Sequence, residues 1–327
     1  MPTNVVNGKA FEYAIAYEYY RYLVEERGVD VAFVDDAHFR NAKASLEQFS
    51  GTEREAYCLA ARASIKTMMK LEPGFFSPKN HKDILSIRIA GDGEGEDGDV
   101  RDVIFSRPVS QWELGFSAKN NNDAVKHSRL SMSIDFGDKW LNHPVDKSYW
   151  DAIRPVFDDL SELKCREAKW RDIESEKPER VYKPILNAFR AEILRLAKLY
   201  KDVPENLVLY LLGEYPFYKL IKDDSANMVI VKSFNLNGAL NKTVNGVHPA
   251  YKTAKVNLPT RIVEFEYKLK QNGEKSENTL DMILDNGWEI SFRLHSASTY
   301  VENSLKFDVQ LLGNPPILFT QYIFSED

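Results

Sequence analysis

From residue 224 onward this chain is written almost entirely in short β segments. Residues 228–234, 261–270, 279–284, 288–294, 305–311 and 317–323 alternate apolar with polar residues or concentrate β-branched and aromatic ones. Asn272-Gly273, Asn286-Gly287 and the run from Gly313 to Pro316 punctuate them as turns. This pattern excludes an all-helical protein. It predicts a mainly β part over residues 224–327, set against an α/β part with helical additions over residues 1–223.

The α/β part begins with a helix. Phe11, Ile15, Tyr19, Tyr22 and Leu23 recur at helical spacing between Gly8 and Glu26, with no proline among them. Val29 to Val34 is a short strand or an extended link, and Ala37 to Phe49 a second helix. Thr52 followed by Glu55 forms a capping box for a third helix, which runs to about Leu71 and ends at Pro73-Gly74. Ile84 to Ala90 is a strand. Further helices are expected from Ala124, over Trp150–Leu163 with Pro155 near its first turn, and over Pro184–Tyr200. A last one spans Leu207–Lys222, redirected at Pro216.

The 327 residues are 43% hydrophobic and 28% charged, which is globular composition with room for two domains. No apolar run approaches the roughly 20 residues of a membrane span. The N-terminal MPTNVVNGKAFEY lacks a signal-peptide layout, and the two cysteines, Cys58 and Cys165, form no ligand pattern. A cytoplasmic protein is expected. The net charge of −6 argues against indiscriminate coating of nucleic acid, yet a local basic cleft can still seat a duplex.

The chemistry concentrates between Gly98 and Arg129. Two short strands, joined by Pro108–Gln111, carry Asp99 and Asp102 on the first and Glu113, Ser117 and Lys119 on one face of the second. A carboxylate within the apolar RDVIF is costly unless paired or metal-bound, which singles out Asp102. Folding the hairpin about Val109 sets position 102 near 116 and position 99 near 119, give or take one or two residues. Either aspartate is therefore a ligand for Mg²⁺, with Lys119 orienting a nucleophilic water. Glu113 lies six residues from Lys119, roughly 20 Å along an extended strand, so it shares a metal with Lys119 only across a bend. The acid two positions before Lys119 is absent and Ser117 stands there. Glu12, on the first helix, is the candidate to supply it. Asn120, Lys126, His127 and Arg129 follow as DNA contacts, joined by Arg293 from the β part, where Trp288, His295 and Lys306 also offer duplex contacts. The acidic stretch Asp92–Asp99 fails the calcium-loop pattern and is expected to be a solvated turn.

The order of a helix with Gly-x-x-Phe-Glu (Gly8–Glu12), an aspartate strand and a strand ending in Lys119 resembles the PD-(D/E)XK nuclease fold, a mixed sheet flanked by helices. Ser117 departs from it. Three longer blocks, GDVRDVIF, SAKNNNDAVKHSRLSMSIDFGDKW and DNGWEISFRLHSASTYVENSLKFDVQLLG, resemble the HaeIII-type restriction endonucleases. The resemblance implies a Mg²⁺-dependent type II enzyme that cuts double-stranded DNA at GGCC and leaves 5′-phosphates. It also implies a cognate DNA methyltransferase in the same system, and a homodimer by the symmetry of the site. Two other readings fit the same residues: a structure-specific or repair nuclease of this fold, and a DNA-binding protein whose catalytic centre has decayed, as Ser117 suggests.

Overall fold

The computed structural model describes residues 4–91, 98–296 and 298–324. The chain opens with helix α1 (Asn4–Arg21), whose last turn widens into a π-helical turn over Tyr22–Glu26. Strand β1 (Val31–Phe33), helices α2 (Ala37–Glu47) and α3 (Gly51–Leu71), and strands β2 (Leu85–Ile89), β3 (Val103–Arg107), β4 (Trp112–Asn120) and β5 (Ala124–Leu130) follow. Four helices come next: α4 (Phe136–Leu141), α5 (Lys147–Cys165), α6 (Lys183–Leu199) and α7 (Val203–Leu212). The remainder is strand: β6 (Phe217–Asp223), β7 (Met228–Phe234), β8 (Ile262–Leu269), β9 (Lys275–Leu284), β10 (Glu289–His295), β11 (Leu305–Gly313) and β12 (Thr320–Phe324).

These elements form two compact units. The first comprises Met1–Asp123, Gly213–Val256 and Ile317–Asp327; the second comprises Ala124–Leu212 and Asn257–Pro316. The change of composition near residue 224 falls at the turn between β6 and β7, inside the first unit.

The first unit is built on a seven-stranded mixed sheet in the order β1-β2-β3-β4-β6-β7-β12. The β1–β2 and β4–β6 pairs are parallel and the others antiparallel. One face of the sheet is apolar at alternate positions. Val103, Phe105, Phe116, Tyr218, Leu220, Val229 and Val231 join Phe11, Ile15 and Tyr19 of α1 and Ala61, Ile65 and Met68 of α3 in one buried core. The Tyr19 ring lies 5.2 Å from Phe116 and 5.4 Å from Phe105, and its hydroxyl meets Ser64 Oγ at 2.8 Å. Burying each such ring contributes roughly 2–3 kcal/mol, which fixes α1 on the sheet. Strand alternation sends the intervening residues to the opposite face. There Ser117, Lys219, Lys232 and Thr320 form one cross-strand row, and Lys119, Ile221, Ile230 and Tyr322 the next.

The second unit carries a five-stranded antiparallel sheet, β5-β11-β10-β9-β8, with α4 to α7. Phe189 of α6 is central to its core, with ring centroids of Phe136 and Phe307 at 4.9 Å and Phe292 at 5.7 Å.

Several sequence expectations are corrected. The helix expected from Ala124 is strand β5, paired with β11, because Ser128 and Leu130 bury at a period of two. Leu207–Lys222 is not one helix. It stops at Leu212, Gly213 turns with φ +80°, and FYKLIKD becomes β6, where register with β4 outweighs local helical preference. The capping box lies two residues earlier, on Ser50 and Glu53, and Pro155 sits inside α5 rather than near its first turn. The hairpin register, with Val103 opposite Phe116, lies one residue from the expected pairing and inside its margin. Asp102 immediately precedes β3 instead of lying within it. Residues 92–97 of the acidic turn lie outside the described residues.

Candidate catalytic site

Asp102 is held by its backbone before its side chain does anything. Its N–H donates to Phe116 O at 2.7 Å and its carbonyl accepts from Ala90 N at 2.9 Å, anchoring it between β4 and the end of β2. Its Oδ2 then gathers donors from three consecutive residues of β4: Ser117 Oγ at 3.2 Å, the Ala118 N–H at 2.7 Å and Lys119 Nζ at 3.4 Å. Oδ1 has no hydrogen bond among the described residues. The carboxylate is a quarter exposed, at 25%, and Lys119 at 22%, so the pair is reachable by a substrate.

Glu12 belongs to the same cluster. It projects from the third turn of α1, is buried, and accepts from Lys9 Nζ at 3.0 Å one turn earlier. Burial pushes its carboxyl up to about 8, and the negative charge of Asp102 pushes in the same direction. Lys9 and Lys119 oppose them. The helix-borne acid expected from the sequence is thus electrostatically coupled to both Asp102 and Lys119.

Asp99 and Glu113 are placed otherwise. Both carboxylate oxygens of Asp99 bind Arg101, at 2.8 Å from Nε and 2.7 Å from Nη2, and Glu113 Oε1 takes Nη1 at 2.7 Å. The guanidinium lies 4.4 Å from the Tyr215 ring centroid. Its stem passes over Gly115, where an added Cβ would meet Arg101 Cδ at 2.0 Å. Arg101 thus engages the two acids and stabilises the approach to Asp102.

Sequence reasoning missed a second polar cluster on the Lys119 face. Lys219 pairs in register with Ser117 and with Lys232, and both lysines, buried, bind Asp123. Burial lowers the Lys219 ammonium to about 8, Asp123 opposes this, and nearby Lys119 and Lys232 add to the fall. The signal was available: a lysine inside the apolar FYKLI carries the same cost that singled out Asp102. Lys9, three residues before Glu12, was equally legible.

Of the expected DNA contacts, Asn120 belongs to the first unit, and its Oδ1 is buried with no hydrogen-bond partner among the described residues. The others lie in the second unit. Lys126 donates to Tyr210 O at 3.3 Å and lies over its ring. Arg129 reaches Ser304 Oγ at 3.1 Å, and Arg293 pairs with Asp308 at 3.0 Å while remaining 55% exposed. His127 is in β5, and its side chain lies outside what is described. Trp288 is fully buried and donates to Asn257 O at 2.8 Å, so it is a core residue. The Cys58 thiol is pushed up to about 12 by burial, which makes it a poor nucleophile.

No group of three or more His, Cys, Asp or Glu side chains suited to a metal occurs among the described residues. Two coupled carboxylates remain, Glu12 and Asp102. That donor set fits a hard divalent cation that takes one or two carboxylates and completes its shell with water and phosphate oxygens. Such a cation would also offset the burial and the Asp102 repulsion that raise Glu12.

Comparison with known proteins places nearly the whole chain in a family. The family model described as HaeIII restriction endonuclease matches residues 8–315. The type II restriction enzyme HaeIII of Haemophilus aegyptius is 39% identical over 310 residues, covering 94% of each chain. No solved structure matches. Among the described residues, no helix is long and apolar enough to cross a membrane.

Proposed function

The chain belongs to the HaeIII restriction endonuclease family, type II site-specific deoxyribonucleases, and from that premise we propose that it hydrolyses double-stranded DNA at GGCC with Mg²⁺, leaving 5′-phosphates. The observation that carries this reading is the convergence of Glu12, Asp102 and Lys119. Mg²⁺ would be held by Glu12 and Asp102, and when bound supplies positive charge that stabilises the phosphoryl oxygens and the leaving 3′-oxygen. Lys119 commits one N–H to Asp102 and turns its others toward the attacking water and the scissile phosphate, which sets the water in line. Ser117 and the Ala118 amide hold Asp102 Oδ2 in place, so Oδ1 stays directed to the ligand side. Asp99 and Glu113 act here through Arg101 rather than as ligands.

Asn120 adjoins Lys119 and suits contact with the strand being cut. Lys126, His127, Arg129 and Arg293 supply backbone and base contacts, as the β-rich part after residue 224 does more widely. Cutting both strands of a palindrome suits a homodimer, a cytoplasmic setting and a cognate methyltransferase that protects the host's own sites. The test is digestion of a plasmid of known sequence with Mg²⁺, followed by end-mapping. Ends confined to GGCC, each with a 5′-phosphate, are expected. Scattered or structure-dependent ends would point to a repair-type nuclease, and no metal-dependent cleavage would sink the reading.

A further inference from the structure

The sheet face that carries Lys119 continues past the catalytic cluster. Lys119, Ile221, Ile230 and Tyr322 are successive register partners across β4, β6, β7 and β12. Three interstrand steps of about 4.8 Å put Tyr322 roughly 14 Å from Lys119 on the same face. Tyr322 is 60% exposed although it sits on a sheet. Beside it opens a cavity of about 520 Å³, lined among others by Asn121, Asn122, Asp224, Ser225, Ile230 and Tyr322.

The charged groups that line this cavity are Asp123, Asp223, Asp224 and Lys232. Asp123 is bound by Lys219 and Lys232, Asp224 by Lys222 and the Asn121 amide, and Asp223 accepts from Ser225. Three lining aspartates thus face one lining lysine, with Lys219 and Lys222 bound to Asp123 and Asp224 from outside the lining. The cavity has no surplus cation for a phosphate. It offers an aromatic ring, an aliphatic floor, and amide and hydroxyl groups at its rim. These suit a nucleobase, which is flat and apolar on its faces and carries donors and acceptors on its edges. Distance fits as well: at 3.4 Å per nucleotide along one strand, 14 Å is about four steps from the scissile phosphate.

We propose that the concavity on β6, β7 and β12 is a nucleobase-contacting subsite for the DNA being cut, with Tyr322 packed against a nucleotide within about four positions of the scissile bond. This rests on the nuclease reading above. Tyr322 touches substrate away from the reacting atoms, so it governs binding and not the chemical step.

The test compares wild type, Tyr322→Ala and Tyr322→Phe in steady-state cleavage of an oligonucleotide duplex centred on the mapped site, with Mg²⁺. Tyr322→Ala is expected to raise KM about tenfold with kcat changed less than about twofold, as loss of one base–aromatic contact predicts. Tyr322→Phe restores KM. Removing single bases from the duplex adds a readout that a structural role would not move. One abasic position weakens wild type and leaves Tyr322→Ala indifferent. An unchanged KM in Tyr322→Ala, or a change of sedimentation coefficient showing that a second copy of the chain covers this face, overturns the subsite. Failure of wild type to cut any duplex overturns the nuclease reading instead, so the two failures are told apart.

Discussion

The carboxylate of Asp102 accepts the backbone N–H of Ala118 at 2.7 Å, one residue before Lys119. A main-chain donor fixes this acid, so its place beside the Lys119 backbone is set by the path of β4, and only the lysine side chain has to be ordered to complete the pair. Preorganisation of this kind costs little entropy when substrate arrives.

Removal of the lysine head group should therefore abolish chemistry and spare binding. For Lys119→Met we expect kcat to fall roughly a thousandfold, with the dissociation constant for the cognate duplex changed less than about threefold. Single-turnover cleavage and fluorescence anisotropy measure the two separately. A protein that bound DNA without cutting it would not register the substitution.

Glu12 sets a pH dependence whose sign follows from its environment. Its carboxyl, ordinarily near 4.5, is raised to about 8 when folded. Between those values the folded state holds the extra proton, so stability falls as pH rises across the window. In metal-free buffer Glu12→Gln should melt about 5 °C above wild type near pH 9 and show no advantage near pH 4. The same variant should lose metal-dependent cleavage. Calorimetry across the pH range checks the first statement, and digestion with Mg²⁺ the second.

Ser117 donates to Asp102 while nearly fully buried. Ser117→Ala is expected to slow cleavage only about three- to tenfold, because the Ala118 amide still holds the aspartate. Ser117→Asp, which supplies the acid the nuclease superfamily usually carries, should cost more, since it forces a second carboxylate against Asp102. A rate for Ser117→Asp above that of Ser117→Ala would contradict this.

Gly115→Ala probes the approach to the site from the other side. Its Cβ collides with the stem of Arg101, and a buried overpacking of this kind costs about 1–3 kcal/mol. The chemical melting midpoint should fall, and kcat with it, because Arg101 stands one residue from Asp102.

The sequence announced the parts of the site that obey local rules. Asp102 was legible as a charge beside an apolar strand, Lys119 by the parity of β4, and Glu12 by its place in the first helix. The Arg101 clamp was not, since which acid meets its guanidinium depends on a one-residue register and on the missing side chain at Gly115. Strand β5 was hidden because AVKHSRL is short and polar, and its strand character comes from a partner about 180 residues further on, Leu305–Gln310. Strand β6 was hidden for the opposite reason: it continues the apolar run of α7 with only Gly213 and Pro216 between them.

The two compact units are interleaved, so the backbone passes from one to the other at residues 123/124, 212/213, 256/257 and 316/317. Neither can be excised as a single contiguous piece. A cut at 224 would sever β6 from β7 and leave the row beyond Lys119 without its outer strands. A single crossover between relatives at that point would therefore join β6 of one parent to β7 of the other within one sheet, so the hybrid depends on side chains from both parents packing across that seam.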